Sequence, residues 1–318
     1  MFFYYFNILN FSSGIDQEKV FVIEKGQSIN EISANLYKEG LIKSEFIFKF
    51  YIKKSSQKYI FREGSYNLNY KMNMKEILEE LTKSISLKPE KRITFIEGWS
   101  LKDYAKILEA KEFFSSEEFL EKTKSNNYSD KFDFLKDKPK EYSLEGYLFP
   151  DTYNFFEDAS IDDIINRMLQ NFDKKLSQEM RAEIKRQNKS IHEIITMASI
   201  VEKEVQSEKD MKMVSGLFWN RIKNRQALES CATLAYILGV NKDIYTYEDT
   251  RTPSAYNTYI NRGLPPGPIA NPGVKAIEAA IYPENNNYNY FLTDPKTKNT
   301  IFSSTYEEHL SNRNKYLK

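Results

Sequence analysis

The stretch Ser190 to Asp210, SIHEIITMASIVEKEVQSEKD, decides how the larger part of the chain folds. Ser190 followed three residues later by Glu193 is a capping box, which fixes the first turn of a helix and with it the phase. At about 100° per residue, Ile191, Ile194, Ile195, Ala198 and Val205 share one face, and Glu202 lies on it. Glu204 falls on the other side with Met197 and Ile200, which is also apolar. A helix apolar on two sides is enclosed by protein, so both carboxylates are short of water. Burial raises a carboxylate's pKa, and a glutamate kept protonated near neutral pH can act as a general acid. The same pair also fits carboxylates exposed at a helix end or tied into structural salt bridges.

The rest of the chain narrows the choice. With 318 residues, 41% of them hydrophobic, it can bury a large core and divide into two domains. Its 46 basic and 45 acidic residues leave a net charge of +1, without the basic block that a nucleic-acid footprint needs. Its one cysteine, Cys231, excludes an intrachain disulfide and a multi-cysteine zinc site. His192 and His309 are the only histidines, and neither lies in a glycine-rich turn or near a nucleophile that would make a Ser-His-Asp triad. A GxxxxGK[ST] phosphate loop is absent. Carboxylates, hydroxyls, amides and phenols remain, which is the chemistry of sugar sites.

Residues 1–16 form an apolar stump that begins MFFYYFNILNF, too short to span a bilayer and without the positive start of a secretory signal. It fits a core-packed start or the outer end of a membrane anchor. Residues 17–88 hold two strand, turn and helix units. In the first, Ser28 and Glu31 form a capping box, Ile29, Ile32, Leu36 and Leu41 form the stripe, and Gly40 ends the helix. In the second, Ile77, Leu78 and Leu81 are the buried positions. The module resembles the LysM-like fold, whose members grip amino-sugar glycans; a spacer that binds nothing is the other reading.

Residues 89–318 open with the strand RITFIEGWS and a helix capped by Ser100. Ser115 with Glu118 caps the next helix, and Ser160 precedes one with Ile164, Ile165, Met168 and Leu169 inward. Near the end, YFLTD and NTIFSS form a hairpin about PKTK, and Ser304 with Glu307 caps a last helix. The class is α+β, a small module followed by a larger mixed domain. Between these elements, TPSAYNTYINRGLPPGPIANPG crowds Thr252, Tyr256, Asn257, Thr258 and Tyr259 ahead of the stiff turn Pro265, Pro266, Gly267. Such a loop suits stacking on sugar rings and bonding to their substituents. Asn271 is placed to cap the helix that follows, with Pro272 at its first position.

EGYLFPDTY at 145–153, ASIVEKE at 198–204, FWNRI at 218–222 and TPSAYNTYINRGLPPGPIANPG at 252–273 together resemble the endolytic murein transglycosylase family, in the family's order. The resemblance implies a bacterial enzyme anchored in the cytoplasmic membrane, its catalytic domain on the outer side, cutting nascent peptidoglycan strands internally. It leaves room for cell-wall synthesis proteins as partners and implies neither metal nor cofactor. It also implies one glutamate that protonates the bridging oxygen between MurNAc and GlcNAc, then takes the proton of the muramoyl C6 hydroxyl as a 1,6-anhydro ring closes. The second glutamate of EKE aligns with the catalytic one of related lytic transglycosylases, so Glu204 is the candidate and Glu202 its rival. Val205 follows Glu204 where those relatives have serine or threonine, which removes a hydroxyl neighbour. Glu145, Tyr147, Asn220, Arg221, Thr233, Tyr256, Asn257, Thr258 and Tyr259 are the candidate substrate-binding residues. Cys231, where many members have aspartate, reads as a small buried residue. A catalytically silent peptidoglycan-binding scaffold and a water-using muramidase remain open.

Overall fold

The computed structural model describes residues 16–24, 26–55, 59–82, 90–125, 127–242 and 244–317. All of the apolar stump but Asp16 lies outside the described residues. The chain separates into two compact units, Met1–Lys88 and Pro89–Lys318, each with its own hydrophobic core. Helices and two-stranded antiparallel sheets make the fold α+β.

In the first unit, β1 (Glu18–Ile23) pairs antiparallel with β2 (Gly64–Asn69), Phe21 facing Tyr66. The period of two sends Phe21, Ile23, Tyr66 and Leu68 inward and leaves Val20 and Val22 outside. Helix α1 (Ile29–Lys38) starts at the expected Ser28 and Glu31 box and buries Ile32 and Leu36. Gly40, at φ +72°, turns the chain so that the amides of Leu41 and Ile42 return to the Leu36 carbonyl. Helix α2 (Glu45–Lys54) is an addition to the two strand and helix units read from sequence. Its EFIFKFYIKK run lacks a clean 3.6-residue stripe, and Phe48 is its one buried residue. Helix α3 (Met74–Thr82) buries Met74, Ile77, Leu78 and Leu81 against the sheet.

In the second unit, β3 (Glu90–Thr94) pairs antiparallel with β4 (Thr152–Phe156), so the EGYLFPDTY segment leads into a strand. Capping boxes start α4 (Leu101–Ala110), α5 (Ser116–Lys122) and α6 (Ile161–Lys175) at Ser100, Ser115 and Ser160. Then come α7 (Gln178–Arg186), α8 (Ile191–Glu204), α9 (Glu208–Lys223), α10 (Cys231–Leu238) and α11 (Val274–Ile281). The hairpin of β5 (Tyr290–Thr293) and β6 (Thr300–Ser303) and helix α12 (Tyr306–Tyr316) complete it.

Helix α8 is the axis of this unit. Every residue from Ile194 to Val201 is buried, with α7, α9, α10 and α11 packed around them. Truncating one of its buried isoleucines to alanine would cost about 2–5 kcal/mol. Two expected caps are displaced. The last helix is capped by Thr305, whose hydroxyl accepts the Glu308 N–H, rather than by Ser304 with Glu307. Both serine and threonine carry a glutamate three residues on, and the structure takes the later register. Helix α11 is capped by Gly273, and Asn271 is drawn into other bonds described below. Among the described residues, no helix is long and apolar enough to cross a membrane.

Candidate active site

Glu204 is the last residue of α8, and Val205 after it is extended, at φ −147° and ψ 156°. The carboxylate thus emerges where the buried run ends. It meets the start of α10, whose N-cap Ser230 makes no capping bond with its side chain. Instead the Ser230 hydroxyl donates to Glu204 Oε1 at 2.5 Å, and the Ala232 N–H also bonds the carboxylate. Unpaired N–H groups and the helix dipole at such a start favour a negative charge. Burial nevertheless dominates and pushes the Glu204 pKa above its ordinary value, against the Ser230 hydroxyl, the Ala232 N–H and the Arg221 charge. The hydroxyl that Val205 does not supply therefore arrives from Ser230, a residue the sequence did not single out.

The tyrosine-rich loop holds Ser230 in place. The Ser230 N–H donates to Thr258 Oγ1 at 3.1 Å, Thr233 Oγ1 donates to the Ser230 carbonyl at 2.7 Å, and the two threonine hydroxyls lie 2.9 Å apart. Asn257 is fully buried; its Nδ2 donates to the carbonyls of Thr250 and Thr252, and its Oδ1 accepts the Tyr259 N–H. Its amide is thus used within the loop. The Tyr259 hydroxyl lies 3.1 Å from Cys231 Sγ, and burial pushes the tyrosine up in pKa. Cys231 is exposed, contrary to the expectation of a small buried residue, because as the first residue of α10 it faces away from Ala232, Thr233 and Leu234, which are buried.

Glu202 has a different setting. Its Oε2 accepts the Gly273 N–H at 2.9 Å at the start of α11, and Gly98 packs on its side chain. Burial raises its pKa, the Gly273 bond lowers it, and the nearby Glu97 charge raises it again. It ties α8 to α11 through a backbone N–H, whereas Glu204 meets a hydroxyl as well as a backbone N–H.

The other candidates spread over the unit. Glu145 is only 7% exposed, and burial pushes its pKa up to about 8. It accepts the Leu101 N–H and a bond from Asn271 Nδ2. Asn271, wholly buried, also donates to the Trp99 carbonyl and accepts the N–H groups of Gly146 and Leu148. This asparagine clasps three loops, which is why it is unavailable as a cap. Gly146, at φ +88°, leaves no room for a Cβ, which would lie 2.5 Å from Pro268. Tyr147 is wholly buried, its hydroxyl 2.9 Å from His192 Nδ1, while His192 Nε2 donates to the Pro266 carbonyl at 2.8 Å. Histidine here braces the proline turn. Tyr256 packs on Tyr236 and Tyr142. Asn220 Nδ2 donates to the Asn286 carbonyl. Arg221 donates to the carbonyls of Leu228 and Asn289 and lies 3.7 Å from Glu229. Glu204, Arg221, Thr233, Thr258 and Tyr259 therefore form one group, whereas Glu145 and Tyr147 belong to a second, structural one.

Two clefts border this group. One, of about 170 Å³, is lined by Lys102, Lys106, Lys203, Ala232 and Tyr236 among others. The other, of about 480 Å³, is lined by Arg221, Arg225, Glu229, Tyr259, Arg262 and Tyr290 among others. Ala232 and Arg221, both of which act on Glu204, line one each. Among the described residues, no group of three or more His, Cys, Asp or Glu side chains is placed to hold a metal ion.

Known proteins are similar to this chain in sequence and in fold. An endolytic murein transglycosylase of Bacillus subtilis is 33% identical over 305 residues, covering 93% of this chain and 84% of that protein. One from Streptococcus pneumoniae is 33% identical over 311 residues, covering 90% of this chain, which spans 56% of that relative's length. The crystal structure of a yceG-like protein from Listeria monocytogenes matches with a TM-score of 0.64 at 34% identity, covering 94% of this chain and 100% of that one. The model of the YceG-like family matches residues 21–315. By family match and by relatives along nearly its whole length, the chain belongs to the YceG-like family.

Proposed function

We propose that this chain is an endolytic murein transglycosylase, a lyase that cuts peptidoglycan strands between MurNAc and GlcNAc without water. The observation that carries the reading is the placement of Glu204: a half-buried carboxylate of raised pKa at the end of α8, bonded by a serine hydroxyl and a helix N–H, with Ala232 and Arg221 beside it each lining a cleft. Protonated, Glu204 gives its proton to the bridging oxygen as the muramoyl C1–O bond breaks and the electron pair leaves on that oxygen. The resulting carboxylate then removes the proton of the C6 hydroxyl, whose oxygen closes on C1. Atoms balance with no water consumed, and Glu204 ends protonated, as it began. Ser230 and the Ala232 N–H hold the carboxylate in the intermediate state, when its charge is otherwise disfavoured by burial. The acid-then-base exchange parallels that of a retaining glycosidase, an internal hydroxyl replacing water.

The first unit has the role of a glycan-gripping LysM-like module in this reading, supported by its antiparallel β1 and β2 around α1 and α2. The enzyme's place is the outer side of the bacterial cytoplasmic membrane, where its strands are made. Mass spectrometry of the sugar ends released from purified peptidoglycan tests the reaction. It is expected to find 1,6-anhydromuramic ends. Reducing ends would make the protein a hydrolase, and intact strands would make it a binding scaffold.

A further inference from the structure

The larger cleft beside Glu204 has a charge that the murein sugars do not explain. Its volume of about 480 Å³ is room for a small ligand group. Three arginines and one glutamate line it, in a chain whose net charge is only +1. Arg221 is engaged by backbone carbonyls and by Glu229. Arg225 and Arg262 are exposed, and their guanidinium groups make no hydrogen bond or ion pair with any described residue.

The backbone brings these two cations to one mouth. Arg225 sits at φ +56°, in the left-handed turn that ends α9, with its N–H on the Ile222 carbonyl. Two residues on, Ala227 forms an antiparallel bridge with Arg262, which joins the exit of α9 to the loop after Tyr259. The mouth connects to the catalytic group, because Arg221 and Tyr259 line it and both lie within the field of Glu204.

A guanidinium offers a planar fork of donors that fits a carboxylate or a phosphate, and neutral sugar hydroxyls leave its charge unmatched. In a murein strand, the carboxylates belong to the peptide stems carried by the muramoyl residues. A strand crossing Glu204 internally places such a stem on either side of the cut, whereas phosphate marks only a strand's end or a side polymer. Resting on the murein reading above, we propose that the Arg225 and Arg262 cleft is a subsite for stem-peptide carboxylates, which makes the enzyme selective for peptide-bearing strands.

The test compares kcat/KM on three preparations of one strand: stems with free carboxylates, stems with amidated carboxylates, and strands stripped of stems. Wild-type protein is expected to prefer the free carboxylates over both others by about tenfold, through KM, as two partly exposed charge pairs allow. Added salt shrinks that preference. In R225A/R262A the ratio falls toward one, and in R225K/R262K it is intermediate. Equal wild-type rates on free and amidated stems overturn the subsite without any variant, and so does a double alanine variant that keeps the preference. Inhibition by inorganic phosphate without preference for free carboxylates assigns the cleft to phosphate and also overturns it. If wild type cleaves none of the three, the murein reading fails with it, a result distinct from an enzyme that cleaves but ignores stems.

Discussion

Ser230, the N-cap of α10, donates its hydroxyl to Glu204, 26 residues earlier at the end of α8. A capping residue has been diverted from its own helix to a carboxylate. Since Ser230 lowers the Glu204 pKa against a larger rise from burial, it favours the base form that the proposed mechanism needs in its second half.

Ser230→Ala is therefore expected to slow turnover about 10- to 100-fold, the scale of one hydrogen bond to a charged group. It also raises the Glu204 pKa, so the alkaline limb of the kcat/KM profile, where the acid is lost, moves to higher pH. Ser230→Thr should restore both. A pH profile that slows without moving would place Ser230 in folding alone.

Asn271 makes its contribution through structure. Its side chain holds Gly146, Leu148, Trp99 and Glu145 together from a fully buried position. Asn271→Ala leaves several of those groups unpaired, each at about 1–3 kcal/mol, and should lower stability by about 3 kcal/mol or more. Urea unfolding followed by Trp99 and Trp219, both within the 89–318 unit, measures it. A midpoint within error of wild type would contradict the clasp.

Glu145 gives this unit a pH dependence of known sign. Burial raises its folded pKa from 4.5 to about 8, so the folded state binds the proton more tightly than the unfolded chain. Stability is then full below the unfolded value and is lost as pH rises through the window from 4.5 toward 8. Glu145→Gln removes the titration, and its stability should fall less between pH 5 and pH 8 than wild type's, by about 3 kcal/mol. Parallel curves for the two proteins would show that Glu145 is not held protonated.

Local signals made most of the fold legible. Serine caps with an acid three residues on marked the starts of α1, α4, α5, α6 and α8, because a cap and its helix are read within four residues. Helix α2 escaped because its aromatic run has no single face, and α12 shifted because Ser304 and Thr305 offer two equivalent registers. Of the candidate site, the sequence named Glu204, Arg221, Thr233, Thr258 and Tyr259, which lie in one group, but not the bonds that hold the group or its neighbours in place. Ser230 lies 26 residues away and Asn271 reaches back 126 residues to Glu145, so neither bond leaves a periodic trace. The Asn-Pro-Gly sequence at 271–273 imitates a cap, yet the buried amide serves loops brought together only by folding.

The rate of glycan cleavage by Glu204→Gln, set beside Glu202→Gln, tests the central claim most directly. Glutamine keeps the shape and can still accept the Ser230 hydroxyl, but it has no proton to give. General acid catalysis alone is worth about 10²- to 10⁴-fold, and here one group serves both steps. Glu204→Gln should therefore bind strands, fold normally and lose cleavage by at least that factor, while Glu202→Gln, which disturbs only the tie to Gly273, loses far less. A folded, active Glu204→Gln beside an inert Glu202→Gln would contradict the account and move the acid and base to Glu202.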